Sequence, residues 1–238
     1  LVISPDGKFS TELVPIANCT QVSEKVQHAT DSIKNLMSEL VNRKICKLDY
    51  DLHILDANGI KGTFFLIGNN ITSASESIVV RQVKGGHEFG NHSLTHSHMN
   101  TLEADVIKAE IAATTLKIKA VSGKEPAFFR PPFIDVNDVM FEVIDLPFIC
   151  GIDSVDWDGD TSSQERVYNV TSQVEDGAIV LMHDFTDNVK TVKALPRIIT
   201  KLRDEGYEFV TVSQLFEKKG VAVKKSSKIR SVVPGNEL

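Results

Sequence analysis

The chain has 238 residues, of which 42% are hydrophobic and 24% are charged, as in a single folded domain with a substantial core. Its formal net charge of −6 offers no basic face to balance phosphates, which excludes nucleic acid as the main partner. A run of about eighteen apolar residues, the minimum for a membrane-spanning helix, does not occur. We expect the protein to act as a monomer.

Three features bear on where the protein works. The chain starts on Leu1 instead of Met and has no secretory signal, which predicts a processed N-terminus. Its Cys residues are odd in number and widely spaced, which favours buried thiols and allows at most one disulfide. They are Cys19, Cys46 and Cys150. Four Asn-x-Ser/Thr tripeptides favour a secreted, cell-surface or cell-wall location. They begin at Asn18, Asn70, Asn91 and Asn169.

Short apolar runs alternate with segments of helical periodicity. The predicted strands are Leu13–Ala17, Thr63–Ile67, Glu88–Asn91, Ala127–Arg130, Phe148–Ile152, Ala178–Met182 and Glu208–Val212. The predicted helices are Val22–Leu40, Ser73–Lys84, Leu102–Ser122, Val136–Ile144, Ser163–Val174 and Val189–Glu205, the last with a kink or a late start at Pro196. The alternation predicts an α/β fold, a (β/α) barrel or near-barrel in one domain.

The C-terminal end differs in composition from the rest of the chain. We assign residues 1–217 to the barrel domain. The remaining segment, residues 218–238, is basic at first and then contains Pro and Gly. This composition predicts a peripheral or partly disordered tail.

Polar residues follow four of the predicted strands. His92, Arg130, the segment Asp153–Trp157 and His183 each lie at a strand end. In a (β/α) barrel the strand ends meet at one face, where active sites lie. We therefore expect these residues to converge.

His92 and His96 are four residues apart, so on a helical turn both imidazoles would face one divalent cation. His87 and His98 lie nearby but do not repeat this spacing, and we interpret them as bystanders. The pair alone is weak support for a metal site, because histidines also cap and pack.

Five segments occur in a characteristic order: GTFFLIGNN (62–70), GGHEFGNHSLTHSHMNTL (85–102), FFRPPF (128–133), DSVDW (153–157) and IVLMHD (179–184). Together they resemble the polysaccharide deacetylases of carbohydrate esterase family 4, the NodB-homology family, which includes chitin and peptidoglycan deacetylases. The resemblance covers about residues 60–212 and rests on four of the family's five motifs. It implies a distorted (β/α) barrel of the NodB type.

The resemblance implies a divalent-metal site. The family's His-Ser/Thr-x-x-His motif corresponds to His92-Ser93-Leu94-Thr95-His96, whose two histidines bind zinc or a similar ion. We expect zinc if the site is intact and no metal if it is not. Such an ion polarises the acetamide carbonyl and activates water.

The resemblance also implies catalytic side chains. Arg130 of the Arg-Pro-Pro motif pairs with the catalytic base in the family. Asp156 orients the catalytic histidine, and His183 is that histidine, acting as the general acid toward the leaving amine.

Three apolar residues are the expected substrate contacts. Leu181 and Trp157 would hold the acetyl methyl group, and Pro131 of the Arg-Pro-Pro motif would join them.

The family's first motif, Thr-Phe-Asp-Asp-Gly, is not found. Its first aspartate is the catalytic base and its second is the third metal ligand. The positions that correspond best are Asn18 and Cys19, which follow the predicted strand 13–17. Asp49 and Asp51 come second, and Asp6 third. Asparagine cannot act as a general base, a role worth about 10²–10⁴-fold in rate.

A missing base would leave Arg130 without its usual partner. A buried, unpaired guanidinium is costly. We therefore expect Arg130 to pair with another carboxylate, from Asp49, Asp51 or Asp153, or to be solvated.

The sequence thus predicts a chitin or polysaccharide deacetylase that acts on an N-acetylglucosamine polymer, with activity impaired by the missing acids. The alternative is an inactive relic that binds cell-wall glycan or has a structural role. A weaker alternative is an amidase for a small non-sugar amide.

Overall fold

The computed structural model describes residues 2–5, 50–185 and 188–235. Its strands are β1 (Val2–Pro5), β2 (Thr63–Leu66), β3 (Glu88–Asn91), β4 (Phe148–Ile149), β5 (Ile152–Asp153), β6 (Val180–Leu181), β7 (Tyr207–Val210) and β8 (Ile229–Arg230). Its α-helices are α1 (Tyr50–Ala57), α2 (Glu76–Lys84), α3 (Ala104–Ser122), α4 (Asp138–Val143), α5 (Ser163–Thr171), α6 (Val189–Asp204) and α7 (Val212–Lys218). The predicted strand 13–17 and helix 22–40 lie outside the described residues.

Most of the strands pair in parallel, as the strand–helix alternation predicts. β2 pairs with β3, β4 with β8 and β5 with β6 in parallel, whereas β1 pairs antiparallel with β7. Single parallel bridges through Phe129 join β3 to β4. The described residues form four two-stranded sheets, and no closed barrel is seen among them.

The parallel pairing brings the strand ends to one side of the molecule. The backbone N–H of His92 donates to Leu66 O at 3.1 Å, so the loop after β3 starts beside the end of β2. The N–H of Arg130 donates to Asn91 O at 2.9 Å. Asp153 lies opposite Leu181 in the β5–β6 register. These contacts carry the chemically interesting residues of four chain segments to one edge.

A glycine divides the predicted strand 148–152 into β4 and β5. Gly151 has φ 126°, a conformation that other residues rarely adopt. A Cβ atom at this position would also lie 2.9 Å from Leu181 N. The chain can therefore turn here from its β8 neighbour to its β6 neighbour, which a side chain at position 151 would prevent.

Helix α6 joins the two halves of the core beneath the strand ends. It begins at Val189, so the predicted late start at Pro196 is wrong. Ile198 and Leu202 pack with α5 and β6, while Leu195 packs with α1. Each buried side chain of this kind contributes about 1.5–3 kcal/mol. Val192 in the first turn of α6 packs in the same cluster as Leu195, so the start of the helix is held as well.

The C-terminal segment is less peripheral than its composition predicts. Ile229–Arg230 forms β8 beside β4, and Val233 is fully buried in the cluster around Phe128 and Ile179. The interpretation of this segment as peripheral is therefore wrong for residues 229–233, a stretch that pairs with β4 and reaches the core, whereas residues 222–225 are exposed, as a peripheral segment would be. The domain boundary at residue 217 stays a prediction. No helix in the described part of the chain is long and apolar enough to cross a membrane.

Candidate active site

His92 and His96 lie together in the loop after β3. Their ring centroids are 4.7 Å apart and the rings meet at 77°. The segment is not a helical turn but a loop, in which Ser93 and His96 have φ values of 63° and 59°. The two imidazoles thus come together through a tight turn of the backbone.

Buried polar side chains hold this loop. Asn91 Oδ1 accepts the N–H of Ser93 at 2.9 Å, and Ser93 Oγ accepts the N–H of His96 at 2.9 Å. The carboxylate of Glu110 on α3 accepts the N–H of Leu94 at 2.8 Å and that of the next residue at 2.9 Å. These bonds satisfy backbone donors that the loop cannot pair internally. They also hold the two left-handed residues in a conformation that costs energy.

Both imidazoles are in the form that binds a metal. His92 Nδ1 lies 2.6 Å from Arg130 O, and since a carbonyl only accepts, Nδ1 carries the proton and Nε2 a lone pair. Burial lowers the pKa of His92 to about 3 and also lowers the pKa of His96, so both rings are neutral. A neutral imidazole whose other nitrogen is held by a carbonyl, as in His92, is the usual zinc-binding arrangement.

The third ligand is not found among residues 50–185 and 188–235. No group of three or more His, Cys, Asp or Glu side chains there is arranged to hold a metal ion. The described residues therefore supply two ligands for a divalent ion, His92 and His96, and a third ligand would come from elsewhere in the chain.

Arg130 is buried without a carboxylate partner among the described residues. Its Nη2 donates to Cys150 O at 2.7 Å, and its guanidinium lies 4.1 Å from the centre of the Phe65 ring. Nε has no hydrogen-bond partner. Burial lowers the pKa of Arg130 to about 10. The expected ion pair with Asp51 or Asp153 is not formed and the side chain is not solvated, so a carbonyl and an aromatic face replace the predicted carboxylate.

Asp156 and His183 form a hydrogen-bonded dyad. Asp156 Oδ1 lies 2.7 Å from His183 Nδ1, and Oδ2 accepts the backbone N–H of His183 at 2.8 Å. Asp156 is 0% exposed, and burial by itself would raise its pKa. Hydrogen bonds and charge from His183, together with the Thr191 hydroxyl, lower the pKa of Asp156 instead. The carboxylate is ionised, which places the ring proton of His183 on Nδ1.

Phe133 forms an exposed aromatic surface beside the paired histidines. Its ring is 4.7 Å from the His96 ring, measured between centroids, and stacks on His98 at 4.0 Å. His98 Nδ1 lies 2.7 Å from Asp135 Oδ2, which fixes the stacked ring. Phe133 itself is 53% exposed and adopts φ 56°, and Ile134 follows with φ 60°. A strained backbone that presents an apolar ring to solvent is typical of a binding surface.

Two more exposed aromatic rings flank the dyad. Trp157 is 60% exposed, and its indole N–H donates to Asp153 Oδ2 at 3.1 Å. Phe185 is also exposed, with its ring centroid 6.3 Å from that of His183. Val155, between Asp153 and Trp157, has φ 56°. Exposed aromatic side chains therefore come from three separate strand-end loops around the histidines.

Leu181 and Pro131 are buried where the structure places them. Leu181 lies in β6, two residues before His183, and contacts Gly151. Pro131 is buried directly after Arg130. Their roles as substrate contacts stay predictions.

Asp51 is the one described residue among the candidates for the missing acid. Asn18, Cys19, Asp49 and Asp6 lie outside the described residues. Asp51 is half-buried in the first turn of α1, and its buried Oδ1 has no hydrogen-bond partner. Burial, and then the charges of Asp184 and Asp156, raise the pKa of Asp51 to about 7. This carboxyl is thus near the dyad and titrates near neutral pH.

Asp51→Asn is expected to stabilise the protein at pH 8 by roughly 2–4 kcal/mol, since one pKa unit is worth about 1.4 kcal/mol. The pKa of Asp51 in the folded state lies above the unfolded value of about 3.8. The free energy of unfolding of the unmodified chain therefore falls as the pH rises from about 4 to about 7, and it stays low above pH 7. The gain should therefore be small at pH 4 and full at pH 8, measured by urea unfolding.

Asp56→Asn on the same helix is the matched control. Partial desolvation of the exposed Asp56 carboxyl acts to raise its pKa, but the hydrogen bond and charge of Arg81 lower it, so this substitution should lower stability at pH 8. A gain from Asp51→Asn that is the same at pH 4 and pH 8 would contradict the assignment.

Comparisons with known proteins place the chain in a family. The family model described as polysaccharide deacetylase matches residues 48–146. A bifunctional xylanase/deacetylase of Pseudobutyrivibrio xylanivorans is 47% identical over 190 residues, which are 76% of this chain and 32% of that protein. A peptidoglycan-N-acetylglucosamine deacetylase of Bacillus cereus is 31% identical over 198 residues, covering 75% and 91% of the two chains.

Solved structures agree with these relatives. The Xyl-CE4 domain of a multidomain xylanase, from the hindgut metagenome of Trinervitermes trinervoides, has 47% identity and a TM-score of 0.77, covering 78% of this chain and 91% of that domain. A family 4 acetyl xylan esterase of Clostridium thermocellum, in complex with a cobalt ion, has 36% identity and a TM-score of 0.76, covering 79% and 93%. A family pseudoenzyme of Bacillus anthracis has 31% identity and a TM-score of 0.65, covering 71% and 60%.

This chain belongs to the polysaccharide deacetylases of carbohydrate esterase family 4. The resemblance seen in the motifs and the α/β fold of the NodB type are confirmed. The chain spans about a third of the length of the first curated relatives that it matches.

Several residues near the candidate site are not predicted from the sequence. Phe133 directly follows the Arg-Pro-Pro motif, and an aromatic residue at the start of a strand-end loop was a usable signal. Thr191 and Asn188 hydrogen-bond to Asp156 from the start of α6. Their distance from Asp156 in the sequence left no signal that would connect them.

Proposed function

We propose that this chain removes acetyl groups from acetylated polysaccharides in a reaction that depends on a divalent metal. The observation that carries the proposal is the convergence of two functional parts at the strand ends. One is the neutral pair His92 and His96, and the other is His183 supported by the buried carboxylate of Asp156. The family relationship and the cobalt-containing esterase support the same chemistry.

Each of these residues has a role in such a reaction. His92 and His96 would hold the metal, which when bound supplies polarisation of the acetyl carbonyl and a water of lowered pKa. His183, in its imidazolium form, delivers the Nε2 proton to the leaving amine or alcohol, while its Nδ1–H stays bonded to Asp156. Asp156 stabilises the imidazolium form of His183. Arg130 would balance the charge of a base supplied from outside the described residues.

The exposed aromatic rings support a sugar polymer as the substrate. Phe133, Trp157 and Phe185 offer apolar faces around the histidines, which suits stacking on the apolar faces of sugar rings. The two relatives of 47% identity carry xylanase in their names, which favours acetylated xylan. Chitin and related N-acetylglucosamine polymers, which the motifs favour, are the second substrate class. Either polymer lies outside the cytoplasm of its producer, so we propose a secreted or cell-surface location.

Acetate release tests the proposal. The metal-free protein is loaded with zinc or cobalt and incubated with acetylated xylooligosaccharides, chitin oligomers and peptidoglycan. We expect acetate from at least one polymer, and none after chelation. The absence of acetate from all three with every metal would refute it.

A second candidate is a glycan-binding member without catalysis. Two observations favour it: the described residues supply no third metal ligand, and Arg130 has no carboxylate partner among them. The pseudoenzyme among the similar structures supports the same reading. This candidate predicts glycan binding that chelators do not change. Trp157 is the sole tryptophan of the chain, so intrinsic fluorescence reports binding at the site directly. Turnover that His92→Ala abolishes would refute this candidate.

Phe133→Ala is expected to raise KM for acetylated oligosaccharides by about 3–10-fold, because an aromatic contact is worth about 0.5–1.5 kcal/mol. The kcat value and the melting temperature should change little, since the ring is 53% exposed. Steady-state kinetics on oligomers of increasing length measure this effect. Tyr168→Ala removes a comparably exposed aromatic side chain from α5 and is the control. An equal rise of KM in both variants would contradict the role of Phe133.

A further inference from the structure

Arg166 of α5 is a buried cation that the reaction described above does not use. It is 1% exposed and forms no ion pair within the described residues. Its Nε donates to Thr161 O at 3.1 Å and its Nη2 to Asp158 O at 3.0 Å. A buried guanidinium is costly unless its donors are satisfied, and here the remaining donors point toward the catalytic dyad.

Two polar side chains at the start of α6 separate Arg166 from Asp156. Arg166 Nη1 donates to Thr191 Oγ1 at 2.8 Å and to Asn188 Oδ1. Thr191 Oγ1 donates to Asp156 Oδ2 at 2.8 Å. Asn188 Nδ2 lies 3.3 Å from the same carboxylate oxygen and 3.1 Å from His183 O. Both side chains therefore connect the cation to the carboxylate.

The chemistry of the guanidinium fixes the direction of these bonds. Arg has donors only, so Thr191 and Asn188 must accept from it. The single hydroxyl proton of Thr191 is then directed at Asp156. The side-chain oxygen of Asn188 faces Arg166, so its side-chain nitrogen is the atom that faces Asp156. Without the cation, Thr191 could turn its proton elsewhere and the Asn188 amide could flip. Hydrogen bonds in such a chain strengthen one another in a buried site.

The two oxygens of the Asp156 carboxylate have different hydrogen-bond partners. Asp156 Oδ2 receives Thr191, Asn188 and the backbone N–H of His183. Oδ1 is left for His183 Nδ1 at 2.7 Å. A carboxylate held in this way can only accept, so a ring proton stays on Nδ1, and Nε2 is the nitrogen that gains a proton and delivers it to the substrate.

We propose that Arg166 is a positioning residue for deacetylation: through Thr191 and Asn188 it orients Asp156, which holds His183 as the Nδ1-protonated tautomer. The inference rests on the proposed function for its kinetic consequence, whereas its structural consequence is measurable without turnover.

The test uses three substitutions in the whole chain. Arg166→Met removes the charge with little change of volume, Thr191→Val removes only the hydroxyl, and Thr191→Ser restores it. Arg197→Met is the control, because Arg197 is an exposed cation of α6 that bonds to Gln164 of α5. The first readout is the proton resonance of His183 Nδ1–H in protein labelled with ¹⁵N-histidine.

We expect Arg166→Met and Thr191→Val to lose the hydrogen-bonded His183 Nδ1–H resonance, while Thr191→Ser and Arg197→Met keep it. On acetylated oligosaccharide, kcat should fall roughly 10–100-fold in the first two variants, with KM within about threefold, the usual effect of losing an outer hydrogen-bond partner. Because Arg166 acts through Thr191, the double variant should lose much less than the product of the two single effects.

A folded Arg166→Met with an unchanged resonance would overturn the proposal, and so would multiplicative effects in the double variant. If Arg166→Met does not fold, Thr191→Val decides by the same resonance, since loss supports the proposal and retention overturns it. Failure of the proposed function is a separate result, in which the wild-type chain releases no acetate. The resonance still decides the role of Arg166 in that case.

Discussion

Asp156→Asn is expected to lower kcat by about 10²–10⁴-fold, the range for losing a carboxylate-oriented acid–base histidine. Asp156 Oδ2 accepts from the Thr191 hydroxyl and from the backbone N–H of His183. An NH₂ group in place of that oxygen would face these two donors with a third donor. His183 would lose the partner that keeps its proton on Nδ1. Stability should also fall, by roughly 2–4 kcal/mol, since buried donors lose their acceptor. Initial rates at saturating metal and urea unfolding measure the two effects.

Asp160→Asn is the matched control for this substitution. Asp160 is an exposed carboxylate four residues further along the same loop, and its removal should leave both quantities unchanged. A kcat of Asp156→Asn within a factor of about three of the wild type would exclude Asp156 from an orienting role, given the range expected for that role.

His92→Ala is expected to weaken divalent-metal binding by at least about 100-fold, because even partners outside the ligand shell are worth about 10–100-fold. The substitution removes the imidazole whose Nδ1 is held by Arg130 O and whose Nε2 faces away from that bond. Calorimetric titration of the metal-free chain with zinc or cobalt measures the loss. Turnover, where present, should be abolished with it.

His98→Gln tests whether this loss is specific. His98 is exposed and bonds to Asp135 instead of sharing the loop interior with His92. Its replacement should leave metal affinity within about twofold, far below the change expected for a ligand. Equal losses in both variants would contradict the assignment of His92. Metal binding by the wild type without acetate release would favour the non-catalytic candidate.

The motif order was sufficient to identify the family and the residues that meet at the strand ends. His92, Arg130, Asp156 and His183 each follow a predicted strand, and parallel pairing carries all four to one edge. Strand periodicity and the alternation of elements are local properties, so the sequence contains them directly. The comparisons confirm the family and the α/β fold of the NodB type.

The sequence was less informative about conformation within loops. The spacing of His92 and His96 predicts a helical turn, yet the two rings meet through left-handed residues held by Asn91 and Glu110. Part of this turn depends on bonds from Glu110 of α3, which is 16 residues from Leu94 in the sequence. Local periodicity contains no information about those bonds.

The sequence by itself determined the class of protein and the α/β fold, and it predicted the histidines, the arginine and the aspartate that are proposed for the site. The tertiary structure decided how those residues are paired. It gave Arg130 a carbonyl and a phenyl ring in place of a carboxylate, brought Val233 into the core, and connected Arg166 to Asp156 through Thr191. The physical reason is that burial and hydrogen-bond direction depend on neighbours distant in the chain, whereas motifs and periodicity depend on adjacent residues.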